Sequence, residues 1–256
     1  MAEDRSVLTR PAPPPDTTVP YGTWPDQVVD VWFAGDSGPA GPRPLVVLVH
    51  GGFWRPEHDR GHLGPMAAAL RDAGWTVAAI EYRRTPGEPG TVVGDARVVL
   101  HALPTLLTDA WGGGRATTSD GSMVVVGHSA GGHLALWAAA VAPAPQLRAT
   151  VALAPVADLR MAHELDLDDG AVADFLGGAP DDRVQLDPKR LPTPARPVAI
   201  VHGTDDAVVP LALSESYAAS HPSTRVVPVA HAHHFALIDP RSGAWPVVVH
   251  EVARWA

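Results

Sequence analysis

The chain has 256 residues, of which 46% are hydrophobic and 18% are charged, a composition typical of a soluble globular protein. The formal net charge of −9, with scattered basic residues, argues against a nucleic-acid-binding surface, which needs clustered Lys and Arg. The absence of cysteine excludes disulfides and thiolate chemistry, and no apolar run has the length of a membrane-spanning helix.

The N-terminal residues 1–20 are rich in proline and are expected to form an extended arm without regular structure. They also lack the apolar segment of a secretory signal, so a cytoplasmic location is the default expectation. Residues 21–256 are within the length that an α/β architecture folds as one domain, and one domain is predicted there.

Beyond the arm, strand-like and helix-like segments alternate, which predicts an α/β fold with a mostly parallel sheet and helices on both faces. The predicted strands are residues 28–34, 45–49, 75–82, 124–126, 149–154, 198–202 and 225–229. The predicted helices are residues 60–73, 91–107, 211–220 and 245–255, with another directly after Ser129. The irregular, Asp-rich segment 155–191 is expected to form a short cap-like insertion beside a substrate pocket.

Ser129 lies in the pattern G-x-S-x-G, between an apolar strand and an Ala-rich helix. This is the context of a nucleophile elbow, a sharp strand-to-helix turn that exposes a serine oxygen above a parallel sheet. Gly127 and Gly131 suit such a turn because flanking backbone comes too close for a Cβ. The positive end of the following helix would stabilise negative charge at the same place.

A serine nucleophile needs a histidine base and an acid that orients the base. In the order serine, acid, histidine, the sequence offers Asp205 or Asp206 after one predicted strand. It then offers His231, His233 or His234 after the next strand. This order is that of α/β-hydrolases and differs from the two other familiar triad orders.

Two segments resemble those of α/β-hydrolases closely enough to choose among these candidates. HGTDDAVVP at 202–210 is similar to the acid loop of α/β-hydrolase esterases and related peptidases, which implies that Asp206 is the acid. The segment from His234, HFALIDP, resembles the one after the catalytic histidine of kynurenine formamidase-like enzymes, which implies that His234 is the base. Asp205 is then a turn residue, and His231 and His233 belong to the pocket rim or to solvent.

The oxyanion hole is the second requirement of acyl transfer, and the fold takes one donor from the residue after the nucleophile, Ala130. HGGFW at 50–54 resembles the His-Gly-Gly-x-Trp motif of kynurenine formamidases and similar carboxylesterases. That resemblance implies that the N–H groups of Gly52 and Phe53 are the other donors. Trp54 and His128 are candidates for substrate contact.

Together, HGGFW, GHSAGG, HGTDDAVVP and HHFALIDP imply an α/β-hydrolase of the kynurenine formamidase (arylformamidase) and BD-FAE-like carboxylesterase branch. The hormone-sensitive-lipase branch normally has a third glycine and an aspartate where this chain has Phe53 and His128. The expected function is a serine hydrolase that cleaves a small ester or amide, either a short-chain carboxylester or an aryl formamide such as N-formylkynurenine.

Two other functions are weighed against this one. A prolyl-oligopeptidase-like peptidase shares the acid loop, but this length leaves no room for a gating domain. A non-catalytic binding protein of the same fold would have a damaged triad, whereas every member is present. The 13 histidines lack an H-E-x-x-H spacing, and no phosphate or dinucleotide loop is found, so no metal and no cofactor are expected. The expected partner is the small-molecule substrate, without nucleic acid or membrane, in a monomer or a homodimer.

Overall fold

The computed structural model describes residues 3–35, 42–110 and 119–255. These residues form one sheet of eight strands. The strands are β1 (Thr17–Pro20), β2 (Val28–Trp32), β3 (Arg43–Val49), β4 (Val77–Ile80), β5 (Ser119–His128), β6 (Leu147–Leu153), β7 (Val198–Gly203) and β8 (Arg225–Val229).

The sheet is covered by helices. They are α1 (Gly64–Asp72), α2 (Pro89–Ala110), α3 (Ala130–Val141), α4 (Leu159–Glu164), α5 (Ala171–Leu176), α6 (Ala212–Ser220) and α7 (Trp245–Ala253). Short 3-10 segments lie at Ser6–Thr9, Arg60–Leu63, Pro180–Leu186, Pro188–Arg190 and His234–Ile238.

The strand order is β1-β2-β4-β3-β5-β6-β7-β8. The strands from β4 to β8 in this order pair in parallel, whereas β2 is antiparallel to both β1 and β4. The predicted α/β-hydrolase fold with a mostly parallel sheet is therefore confirmed. Because parallel strands end at the same edge of the sheet, the loops after β3, β5, β7 and β8 meet there.

Strand β3 shows why the chain forms a sheet buried on both faces. Val47 and Val49 pack with α2 and α3 on one face, whereas Val46 and Leu48 pack with α1 and α7 on the other. Alternate side chains of a strand point to opposite faces, so an unbroken apolar run suits a strand with a helix layer on each side.

The N-terminal residues differ from the extended arm that was predicted. Val7, in the Ser6–Thr9 segment, is only 1% exposed and lies in the core, and β1 is a full member of the sheet. Proline is tolerated in β1 because this strand is the outermost on its side, where a missing N–H donor costs little. The opposite outer strand, β8, also contains a proline, Pro228.

The predicted irregular segment 155–191 contains helices α4 and α5 and two 3-10 segments. Phe175 and Leu176 of α5 are buried in the same core as α3. Six-residue helices span fewer than two turns, which is too short for the helical period to stand out in the sequence.

None of the helices formed by the described ranges combines the length and apolar character needed to cross a membrane.

Candidate active site

Ser129 occupies a strained turn between β5 and α3, with φ of 56° and ψ of −120°. Such a backbone conformation is costly for a residue other than glycine and persists only where the surroundings hold it. The Ser129 N–H donates to the carbonyl oxygen of Leu153 at 2.9 Å, and its own carbonyl accepts from the N–H groups of His133 and Val156. These bonds fix the serine at the end of β5.

The glycines on either side of Ser129 are required by close approach of the backbone. A Cβ on Gly127 would lie 2.2 Å from the carbonyl oxygen of Gly131, and a Cβ on Gly131 would lie 2.1 Å from that of Val49. Neither carbonyl can move without disturbing the sheet or the helix. The glycines of the motif therefore allow α3 to begin directly against β3 and β5.

His234 and Asp206 are brought together from two different loops. Nδ1 of His234 lies 2.7 Å from Oδ2 of Asp206, and both side chains are almost completely buried. Oδ1 of Asp206 accepts from the N–H groups of Val208 and Val209. Burial would raise the pKa of Asp206, but hydrogen bonds from His202, His234 and the Val209 N–H outweigh it and lower the pKa below its ordinary value.

Asp205, His231 and His233 lie apart from this pair. His231 points its Nδ1 at Oδ2 of Asp205 from 3.4 Å, and His233 bonds to the Asp205 carbonyl oxygen at 2.9 Å. Asp205 and His231 are exposed, and none of the three residues lines the cavity that contains Ser129.

His202 supports the acid from behind, a role that the sequence did not reveal. Its Nδ1 lies 2.7 Å from Oγ of Ser214, and its Nε2 lies 2.8 Å from the Val209 carbonyl oxygen and 3.4 Å from Oδ2 of Asp206. The buried imidazole thereby ties the loop of Asp206 to α6. Its place as the first residue of the HGTDDAVVP segment is the sequence signal that could have suggested this.

The loop after β3 has an unusual backbone conformation. Gly52, Phe53 and Trp54 all have positive φ, of 107°, 47° and 57°. The N–H groups of Gly52, Phe53 and Ala130 make no hydrogen bond within the ranges that the structure describes. Ala130 is the first residue of α3, whose N-terminal N–H groups have no partner inside the helix.

A buried polar cluster holds this loop from the other side. Nε2 of His50 lies 2.9 Å from Oε1 of Glu81, and the Tyr82 hydroxyl donates to the His50 carbonyl oxygen at 2.8 Å. The backbone N–H of Arg60 donates to the second Glu81 oxygen. Burial opposes the charge of Glu81, but the His50 hydrogen bond and the Arg84 guanidinium lower its pKa below the ordinary value. The loop is therefore fixed before any ligand arrives.

Ser129 and His234 both line one cavity of about 100 Å³. No hydrogen bond joins the two side chains in the part of the chain that the structure covers. The histidines here and elsewhere in that part belong to no cluster of three or more metal-ligating side chains. The rest of the wall is formed by Arg5, Leu8, Gly52, Phe53, His58, His62, His128, Asp168, Val208 and Phe235.

The two candidates for substrate contact have different positions. Trp54 is 3% exposed and stacks on Phe175 with 4.3 Å between ring centroids, so it is a core residue and does not line the cavity. This corrects the expected substrate contact, since a large aromatic ring gains more by burial than at a wet rim.

His128 does line the cavity, with its ring centroid 4.5 Å from that of His234 and its Nε2 3.2 Å from the His234 carbonyl oxygen. Burial, together with the neighbouring His234, lowers the pKa of His128 well below its ordinary value. A neutral imidazole therefore packs beside the histidine of the His234–Asp206 pair.

The sequence is similar to those of known esterases. A family model described as BD-FAE matches residues 30–220. Esterase LipC of Mycobacterium tuberculosis is 33% identical over 134 residues, which are 50% of this chain and 30% of that protein. The probable carboxylic ester hydrolase LipM of the same organism is 29% identical over 113 residues, 43% of this chain and 25% of that protein. The matches thus span less than a third of these relatives.

Solved structures with the same fold include a propionate-bound esterase of Thermogutta terrifontis, with a TM-score of 0.70 and 21% identity. That match covers 93% of this chain and 92% of the other. Esterase B of Lactobacillus rhamnosis, inhibited by a tributyrin phosphonate, has a TM-score of 0.73 and 19% identity over 95% of this chain and 85% of the other. At these identities the likeness concerns the fold.

Proposed function

The chain belongs to the BD-FAE family, and from this premise we propose that it is a serine hydrolase that cleaves small carboxylic esters through an acyl-enzyme. The observation that carries the proposal is the 2.7 Å contact between Nδ1 of His234 and Asp206, with His234 and the strained Ser129 on the wall of one cavity. The N–H groups of Gly52, Phe53 and Ala130, which make no hydrogen bond among the described residues, are the proposed oxyanion donors.

In the acylation half-reaction, Nε2 of His234 takes the proton of the Ser129 hydroxyl as its oxygen attacks the ester carbonyl carbon. This requires the two side chains to come into hydrogen-bond contact when substrate binds, as is common for catalytic pairs that are loose in the free enzyme. Asp206 holds the imidazole in the tautomer with its free Nε2 toward the serine and stabilises the imidazolium.

The carbonyl oxygen becomes an oxyanion in the tetrahedral intermediate, and the proposed donors to it are the N–H groups of Gly52, Phe53 and Ala130. Collapse of the intermediate breaks the bond to the alkoxy group, which leaves as an alcohol with the proton from His234. A water molecule then gives its proton to His234 and attacks the acyl group, and Ser129 is regenerated with release of the carboxylic acid.

The dimensions of the cavity favour a short acyl chain. A volume of about 100 Å³ favours a small acyl group over a long one, and Phe53 and Val208 are part of the apolar lining. The propionate of the Thermogutta esterase is a similarly short acyl group, bound by a protein of the same fold. A formyl group is smaller still, so an aryl formamide such as N-formylkynurenine is the second candidate substrate.

Labelling with a fluorophosphonate probe tests the nucleophile. The wild-type protein is expected to react, and Ser129→Ala is expected to abolish the reaction because the attacking oxygen is gone. Ser220→Ala, on the exposed end of α6, is the matched control and should label like the wild type. Labelling of Ser129→Ala at the wild-type rate would disprove the assignment.

A substrate panel tests the acyl preference. Rates of p-nitrophenyl acetate, butyrate and octanoate hydrolysis are compared with those of N-formylkynurenine and a dipeptidyl anilide. We expect kcat/KM to fall from butyrate to octanoate, because the cavity cannot take the longer chain. A preference for octanoate would contradict the short-acyl proposal, and faster turnover of N-formylkynurenine than of every ester would establish the formamidase alternative. Faster turnover of the dipeptidyl anilide would favour a peptidase.

A further inference from the structure

The N-terminal segment, residues 3–10, forms part of the wall of the proposed active site. Arg5 and Leu8 line the cavity with Ser129, although they are more than a hundred residues away in the sequence. No motif in the sequence predicts a function for this stretch. Because these residues line the cavity, their side chains can contact a bound substrate.

The segment is held in place at three points. Val7 is 1% exposed and packs in the core, and the guanidinium of Arg10 makes two hydrogen bonds to the carboxylate of Asp239, one of them 2.9 Å long. A carboxylate oxygen of Glu3 accepts from the backbone N–H of Phe235 at 3.3 Å. Since Phe235 and Asp239 belong to the loop of His234, the segment is fastened to the same loop as the proposed base.

Arg5 is an exposed side chain that takes no part in holding the segment. Its guanidinium carbon lies 5.3 Å from the ring centroid of Phe235, in a cation–π contact. Among the described residues no carboxylate lies within ion-pair distance of it. The adjacent carboxylates, Glu3 and Asp4, accept from the backbone N–H groups of Phe235 and Ser6 and form no ion pair with Arg5 among the described residues.

The other charged groups of the wall form no ion pair with Arg5 among the described residues. Asp168 lines the cavity, and its carboxylate shares the Arg55 guanidinium with that of Asp174, at 2.7 Å and 3.2 Å. Burial lowers the pKa of His62 to about 3, and that of His128 is also lowered, so both are neutral near pH 7. Arg5, an exposed side chain, therefore places at the cavity a positive charge that belongs to no ion pair among the described residues.

The position of Phe235 indicates which part of a substrate lies nearest to this charge. The histidine that deprotonates the serine later gives its proton to the leaving group, so the leaving group must lie beside His234. Phe235 follows His234 directly, and its ring contacts the guanidinium of Arg5. Building on the proposed esterase function, we propose that Arg5 binds a carboxylate on the leaving-group side, so that esters of hydroxy acids are the preferred substrates.

The test compares 4-acetoxybenzoate, whose leaving group is anionic, with the neutral and similarly sized 4-acetoxybenzamide. We expect the wild type to prefer the benzoate and Arg5→Gln to lower the benzoate-to-benzamide ratio of kcat/KM about tenfold, mainly through KM, because a charge-assisted contact is lost. Arg5→Lys should keep part of the preference, since it keeps the charge.

The matched control is Arg43→Gln. Arg43 also stacks on an aromatic ring, that of Trp75 at 4.2 Å, but it does not line the cavity. This variant changes the net charge equally and should leave the ratio as in the wild type. Fluorophosphonate titration of each variant counts the intact sites, so a misfolded fraction of Arg5→Gln does not alter the ratio per site.

The outcomes separate this inference from the function on which it rests. If the wild type hydrolyses neither acetate ester, the esterase proposal fails. If both esters are hydrolysed and Arg5→Gln leaves their ratio unchanged, the inference about Arg5 alone is overturned. Phenyl hydrogen succinate and phenyl butyrate carry the corresponding pair on the acyl side. A larger effect of Arg5→Gln on that pair would overturn the leaving-group placement.

Discussion

At the scale of single residues, the neighbours Asp205 and Asp206 show how position decides chemistry. Asp206 is buried and accepts hydrogen bonds from His234 and two backbone N–H groups, whereas Asp205 is exposed and faces His231. The same side chain is thus held as a fixed anion at one position and is solvated at the next.

The pair provides a matched test of the proposed triad. Asp206→Asn is expected to lower kcat roughly 10³- to 10⁴-fold, because an amide can donate to Nδ1 and favours the wrong tautomer of His234. Asp205→Asn, which is one residue away and has the same change of charge, should stay within about twofold of the wild type. Steady-state kinetics on p-nitrophenyl acetate measures both, and equal losses would remove Asp206 from its proposed role.

One physical reason explains why the sequence could identify some residues of the site and not others. Ser129, Asp206 and His234 lie in local patterns, and their catalytic roles remain predictions that these patterns made. Glu81 and Arg5, in contrast, contact residues far away in the chain. Glu81 forms a hydrogen bond with His50, and Arg5 makes a cation–π contact with Phe235. A contact of that kind leaves no periodicity or motif, so only the folded chain reveals it.

At the scale of elements, the junction of β5 and α3 is limited by backbone packing rather than by side chains. Gly131, in the first turn of α3, faces the carbonyl oxygens of Val49 and His50. Gly94, within α2, has open space where a Cβ would be. Substitution by alanine is therefore expected to change the stability of the protein in opposite directions at these two glycines.

Gly131→Ala is expected to destabilise the protein strongly or to prevent its folding, because the new methyl group would lie 2.1 Å from the Val49 carbonyl oxygen. Gly94→Ala is expected to raise the free energy of unfolding by about 0.5–1 kcal/mol, since alanine favours a helix over glycine. Urea denaturation followed by circular dichroism compares them. A Gly131→Ala protein as stable as the wild type would contradict the packing described for the turn.

The strands that could be predicted from the sequence are those buried on both faces of the sheet. Strands such as β3, apolar at nearly every position, could be recognised because helices cover both faces. Strand β1 was missed because its Thr- and Pro-containing residues 17–20 alternate between partial burial and exposure at the edge of the sheet. Its pairing with β2 depends on the partner strand rather than on its own apolar content.

At the scale of the whole molecule, buried neutral histidines couple folding to pH. His133 is 0% exposed, with its Nε2 2.8 Å from the Leu186 carbonyl oxygen, and burial lowers its pKa to about 4. The unfolded chain binds this proton near the ordinary value of 6.5. The stabilisation is therefore complete above pH 6.5 and is lost as the pH falls towards 4.

Unfolding free energies measured in urea between pH 7.5 and 4.5 test this coupling. The wild type should lose stability throughout the acidic half of this range, with His133 contributing at most about 1.4 kcal/mol per pH unit. His133→Gln should flatten the dependence by that amount, even if it is less stable overall. His163→Gln, at an exposed position on α4, should keep the wild-type slope. Parallel curves for wild type and His133→Gln would refute the assignment.

The two outer strands, β1 and β8, have a consequence for the protein at high concentration. Each is only four or five residues long, and each includes a proline, Pro20 or Pro228, that lacks an amide hydrogen. A strand of a neighbouring molecule that paired with either outer strand would lack one of the N–H donors needed for a regular set of hydrogen bonds. The short, proline-bearing rims should therefore slow the intermolecular strand addition from which fibrils grow.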